Sequence, residues 1–148
     1  MNHACCADHA SPPPARRLAC PRNGHVGRAV ARLTLGALLR SEARRQLQPE
    51  AQYWFCPAPD CDVVYYTDDG TFAERDLNVP VWQKRPAPDT PICYCFGWTL
   101  AHIRVAPDKQ AVLNQIAAEV KAGNCYCEVT NPQGACCLAN VRDAIVRP

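Results

Sequence analysis

The sequence is poor in the features that mark most function classes. It has no apolar run approaching the length of a bilayer span, so membrane insertion is not expected. Its first twenty residues, "MNHACCADHASPPPARRLAC", lack the apolar core of a secretory signal and carry three successive prolines. Arg16-Arg17 has the form of a twin-arginine signal, but no hydrophobic region follows it. The net charge is only +2, and Arg16-Arg17, Arg44-Arg45 and Lys84-Arg85 stand as isolated basic pairs. Without a basic stripe there is no electrostatic case for nucleic acid. There is no Ser–His–Asp spacing, no phosphate loop and no pair of carboxylates beyond Asp68-Asp69 in a turn. An ordinary enzyme is therefore not expected, and the expected compartment is the cytoplasm, where thiols stay reduced.

What the chain has in excess is cysteine and proline: 11 and 14 in 148 residues. A single core of this length buries about 70% of its unfolded surface, so folding does not depend on covalent staples. The odd cysteine count rules out full intramolecular pairing. Cys93 and Cys95 are too close for an easy disulfide, as are adjacent Cys136 and Cys137. Metal binding is the reading left.

The pattern along the chain is α+β, in three segments. Residues 1–19 read as a flexible cysteine-containing tail with a stiff "SPPPARR" spacer. Residues 20–85 read as a small β unit with one helix. "HVGRAVARL" holds a strand. Thr34 has the chemistry of an N-cap for a helix over 35–47, with Leu35, Leu38, Leu39 and Ala43 on its apolar face and Pro49 after its end. Tyr53–Phe55 and Val63–Tyr66 are aromatic and β-branched runs. "CPAPDC" forms a knuckle between them, and "TDDGT" a hairpin turn. "NVPVWQK" predicts one more strand, on an edge because of Pro80. "RPAPDTP" at 85–91 is a linker. Residues 86–148 read as helical: a short helix over 100–104 capped by Thr99, a longer one from Asp108 to Lys121 stopped at Gly123, and a last one starting near Gly134.

Six of the eleven cysteines sit in "PICYCFGWTL" and "GNCYCEVTNPQGACCLANV". A 2Fe–2S cluster needs four thiolates from converging loops. Cys-x-Cys supplies two, and the later stretch offers four candidates for the second pair. With four thiolates an oxidised cluster carries a net charge of about −2. Gly97 and Gly134 allow close backbone approach, and helix starts after Cys95 and near Cys137 would point N–H groups inward. Tyr94, Phe96, Trp98 and Tyr126 read as packing, and His102 as a surface or packing residue.

"CYCFG", then a helix, then "CYCEVTNPQGACCLANV" resembles the bacterioferritin-associated ferredoxin-like 2Fe–2S domain, in the variant found at the N-terminus of the CopZ copper chaperone family. The resemblance implies a cluster on Cys93, Cys95, Cys127 and Cys137, with Cys125 and Cys136 left over. It extends upstream: "YWFCPAPDCDVVYY", "DGTF" and "VPVWQK" resemble that family's zinc-binding region. Cys56 and Cys61, spaced Cys-x₄-Cys on a knuckle, fit structural zinc. The family typically carries Cys-Pro-x-Cys-Gly upstream. This sequence reads Cys20-Pro-Arg-Asn23-Gly24, so one cysteine is missing. Cys20 is then the third ligand, and Cys5 or Cys6 of the tail is favoured as the fourth over His25.

The resemblance implies an electron-transfer or metallochaperone accessory protein that handles copper or another soft metal such as mercury. An electron donor, a metal transporter or a chaperone would be its partner. The only methionine is Met1, so the family's Met-x-Cys-x-x-Cys copper motif is not present. The expectation is an iron–sulfur and zinc module standing alone. The rival class is a structural interaction module in which both metals only hold the fold.

Overall fold

The computed structural model describes residues 16–147. The calls on Cys5 and Cys6, and most of the expected tail, lie outside them. The first half is a four-stranded antiparallel sheet in sequence order: β1 (Arg28–Val30), β2 (Tyr53–Phe55), β3 (Val63–Tyr66) and β4 (Thr71–Ala73). Between β1 and β2 lie α1 (Arg32–Leu38) and α2 (Ser41–Arg44). The second half opens with a hairpin, β5 (Pro91–Cys93) and β6 (Trp98–Thr99). It continues as α3 (Leu100–Val105), α4 (Lys109–Lys121), α5 (Cys127–Thr130) and α6 (Leu138–Val146). The α+β class is as expected from the sequence.

Both central strands are buried on both faces, which is why they read as unbroken apolar runs. On one face Tyr53, Phe55, Val64, Tyr65 and Phe72 pack with Leu35 and Leu39 of the helical segment. On the other, Trp54, Val63 and Tyr66 pack with Cys20, Cys56 and Cys61. Strict alternation would separate Val64 from Tyr65. A register shift between Val63 and Tyr65 breaks it and sends both to the same face. Tyr66 is thereby returned to the cysteine face, stacked 6.0 Å from Trp54.

Three local expectations give way to tertiary structure. The single helix over 35–47 is two, because the backbone at Leu39 and Arg40 is extended. There it leaves the helix to pair with residues 76–78: Arg40 N–H donates to Asp76 O at 2.8 Å, and Asn78 N–H to Leu38 O at 2.9 Å. Thr34 is not the N-cap. Ala31 holds that place, and Thr34 lies fully buried one turn in. "NVPVWQK" is a turn rather than a strand, closed by Lys84 and Arg85 N–H donating to Val81 O. Val81 is buried in the sheet core, and Tyr94 Oη donates to Pro80 O and accepts from Trp82 N–H, which takes up the groups a strand would have paired.

The later helices follow their caps. Thr99 Oγ1 accepts from His102 N–H at 3.2 Å, and Asp108 Oδ1 from Ala111 N–H at 3.1 Å. Gly123, at φ 83°, ends α4. The last helix starts at Leu138 rather than near Gly134. Asn131 and Gln133 side chains donate to the carbonyls of Ala135 and Cys136, which holds 134–137 as a loop.

Candidate metal centres

The first centre forms where three loops meet on one sheet face. Cys56 follows β2 directly, on the face of Trp54, and its N–H continues the ladder to Val64 O at 2.9 Å. Cys61 ends the "CPAPDC" knuckle, with its N–H on Ala58 O. Cys20 comes from a tight loop in which Cys20 N–H donates to His25 O and Gly24 N–H to Cys20 O. Gly24 takes φ 75° there, a left-handed conformation that suits glycine. The three Sγ atoms lie within 4.8 Å of one another, and all three residues are buried. Cys20 and Cys61 are 3.9 Å apart. Zinc–thiolate bonds of about 2.3 Å in a tetrahedron put sulfurs about 3.8 Å apart, so the donor set fits zinc.

The electrostatics around these sulfurs differ. Burial pushes the Cys56 thiol up, but the Ala58 N–H, Lys84 and the Asn23 amide outweigh it and hold Cys56 below its ordinary value. Lys84 is pinned beside it by an Nζ bond of 2.6 Å to Ala58 O. Cys61 is pushed up to about 11, first by burial and then by its two cysteine neighbours, against the Val63 N–H. One thiolate in the triad is thus favoured, and a second resisted unless a cation joins them.

The second centre gathers cysteines from the β5–β6 hairpin, α5 and the start of α6. Cys95, Cys125 and Cys127 place their sulfurs within 4.8 Å of one another. Cys95 lies 3.5 Å from Cys127 and 3.8 Å from Cys125, and Cys125 lies 3.2 Å from Cys127. Cys136 and Cys137 stand close enough to Cys127 to perturb its acidity, as Cys137 does that of Cys93. Of the four residues implied by the resemblance, Cys95 and Cys127 join this thiol group, together with Cys125, and Cys93 and Cys137 do not. Proton sharing splits their acidities. Cys127, Thr130 and the Tyr126 N–H hold Cys95 down to about 6, against burial. Cys127 and then Cys93 hold Cys137 down to about 4. Cys127 itself is pushed up by Cys136, Cys137 and Cys95, and Cys93 by Cys137 and burial. Thiols that stabilise one another's thiolates are suited to replacing those protons with metal.

Residues 17–78 match a family described as a zinc binding domain of the CopZ type. The copper chaperone CopZ of Archaeoglobus fulgidus is 28% identical over 118 residues, covering 80% of this chain and 57% of that protein. The X-ray structure of the CopZ N-terminal domain from the same organism gives a TM-score of 0.70 at 28% identity, over 85% of this chain and 96% of that one. This chain is a homologue of the CopZ N-terminal domain. The CopZ-type zinc binding domain contains Cys20, Cys56 and Cys61, and its match ends before the six later cysteines. The chain spans 57% of the length of the CopZ relative. No helix among the described residues is long and apolar enough to cross a membrane.

Sequence reasoning missed several residues that build these two centres. Thr130 Oγ1 lies 3.2 Å from Cys95 Sγ, and the Tyr126 N–H donates to that sulfur at 3.1 Å. Nothing in "CYCEVT" marks the threonine. Lys84 is remote in sequence from Cys56. Asn23 Nδ2 reaches Cys56 Sγ at 3.5 Å, and its only sequence signal was that it stands where a cysteine was expected. His25 does not join the thiol triad. β6 separates Cys95 from the helix that follows, and α3 begins at Leu100 behind its Thr99 cap as expected.

Proposed function

We propose that this chain is a zinc- and 2Fe–2S-binding accessory protein of copper handling, working by electron transfer or as a metallochaperone helper in the cytoplasm. The observation that carries the reading is the grouping of cysteines into two separate centres in a CopZ homologue. The zinc would be held by Cys20, Cys56 and Cys61. The cluster would be held by Cys93, Cys95, Cys127 and Cys137. When bound, it supplies one electron at a time, which matches the reduction of Cu(II) to Cu(I). Another soft ion such as mercury remains within the same ligand chemistry.

The chain's own residues would prepare that centre. Tyr126 N–H and Thr130 complement the Cys95 sulfur, while the Phe96 and Leu138 N–H groups face Cys93 and Cys136. Such hydrogen bonds are a main means of tuning a cluster's potential. Cys137 occupies the N-cap position of nine-residue α6, so a group held by its sulfur would lie near the positive end of that helix.

Full-length protein purified anaerobically is expected to be red-brown, with about two irons and two sulfides per chain and a reversible reduced spectrum. Reduced protein mixed with a stoichiometric Cu(II) chelate should regain its oxidised absorbance as Cu(I) appears. A cluster that stays reduced there, yet turns over with other acceptors, reduces the reading to a generic electron carrier. A colourless protein with zinc alone supports the rival structural module.

A further inference from the structure

The first centre offers three ligands to a metal that takes four. Among the described residues, no other histidine, cysteine or carboxylate joins Cys20, Cys56 and Cys61. Asp62 is committed elsewhere. Both Asp62 oxygens accept from Arg22, at 3.0 Å each. The His25 imidazole does not group with the three sulfurs, and the residue's backbone holds the loop, donating N–H to Asn23 Oδ1 and accepting from Cys20 N–H.

Asn23 stands beside Cys56. The His25 N–H, 2.8 Å from Oδ1, fixes which way the amide points. Nδ2 therefore faces Cys56 Sγ at 3.5 Å, and the carbonyl oxygen is turned away from the sulfurs. Asn23 thus solvates a thiolate and does not present a ligand atom. It is itself exposed, while the three cysteines are at most 5% exposed, so the Asn23 side is where solvent comes nearest to the triad. The charges agree with a neutral fourth ligand. Zinc with three thiolates carries one excess negative charge, and the Lys84 ammonium and the Asn23 N–H are the groups set against Cys56.

We infer that the metal at Cys20, Cys56 and Cys61 has three protein thiolates and a solvent-facing fourth position beside Asn23, occupied by water and open to an external small thiolate. This rests on the reading of that triad as a zinc site. The position exchanges ligand without any covalent or redox step: water leaves and a thiolate takes its place.

X-ray absorption at the zinc edge on full-length protein tests this, with the cluster intact and a phosphine as the only reductant. The expected shell is three sulfurs and one oxygen or nitrogen, rising to four sulfurs on adding 2-mercaptoethanol. In Asn23→Cys the shell should hold four sulfurs with or without the added thiol. Zinc transfer to a chelator should be at least about tenfold slower than in wild type. Four sulfurs in wild type without added thiol would overturn the inference while leaving the zinc site intact. A drop to three in the Cys5→Ala/Cys6→Ala variant would then assign the fourth ligand to the tail. Zinc with fewer than three sulfurs would instead overturn the site itself.

Discussion

At the scale of single residues, six neighbouring cysteines raise the question of which four matter. Alanine at Cys93, Cys95, Cys127 or Cys137 is expected to remove most of the iron, and alanine at Cys125 or Cys136 to leave it. Iron and sulfide counts with the visible spectrum of each purified variant check this. Bleaching by Cys125→Ala with Cys127→Ala spared would reverse the assignment, and the 3.2 Å separation of those two sulfurs makes that the sharpest comparison. Asn23→Ala leaves Cys56 without its amide donor. Loss of such an outer partner is expected to weaken zinc about 10–100-fold, measured by competition with a chelator, with the cluster spectrum unchanged.

At the scale of elements, glycines separate two kinds of constraint. Gly36 lies inside α1, and a Cβ there meets nothing within 4 Å. Gly36→Ala should therefore stabilise the protein by about 0.5–1 kcal/mol, seen as a higher denaturant midpoint. Gly134 is the opposite case. It sits at φ 67°, and a Cβ would stand 3.1 Å from both Thr34 Oγ1 and Val30 Cγ1. Gly134→Ala is expected to cost about 1–3 kcal/mol in the same measurement. Because this loop leads into Cys137, loss of iron should accompany it. Helices α3 and α4 were legible in the sequence because Thr99, Asp108 and Gly123 are local signals acting within one turn. The break at Leu39 was not, since its cause is pairing with residues 76–78, far along the chain.

At the scale of the whole molecule, the two halves touch through a small number of specific contacts. Tyr65 Oη, buried in the sheet, donates to Pro132 O at 2.6 Å. Gln83 bonds Gln133, and α1 packs against α5. We propose the division at residues 85–86 as one of cores and metals, with these contacts coupling the halves. Tyr65→Phe should leave a buried carbonyl unpaired and cost about 1–3 kcal/mol. Calorimetry of the holoprotein is expected to show the zinc and cluster halves unfolding together in wild type and separating in Tyr65→Phe. Cys61→Ser, which removes a zinc ligand, should lower the first transition while the cluster absorbance survives below it.

The sequence alone determined the α+β class, the two central strands, the capped helices and which segments carry thiols in metal-binding spacing. These are properties of short windows: an apolar run, a cap one turn from its donor, two cysteines a few positions apart. Tertiary structure decided what depends on distance in space. It brought Cys20 onto the Cys56–Cys61 face and set Asn23 against a sulfur. It turned "NVPVWQK" inward on Val81, and it buried Thr34 where a cap was expected. The bulge at Val63–Tyr65 shows the reason in one place. Period-two alternation is local and can be read from sequence, but the pairing that interrupts it belongs to β4, and that pairing decides which face each later side chain meets.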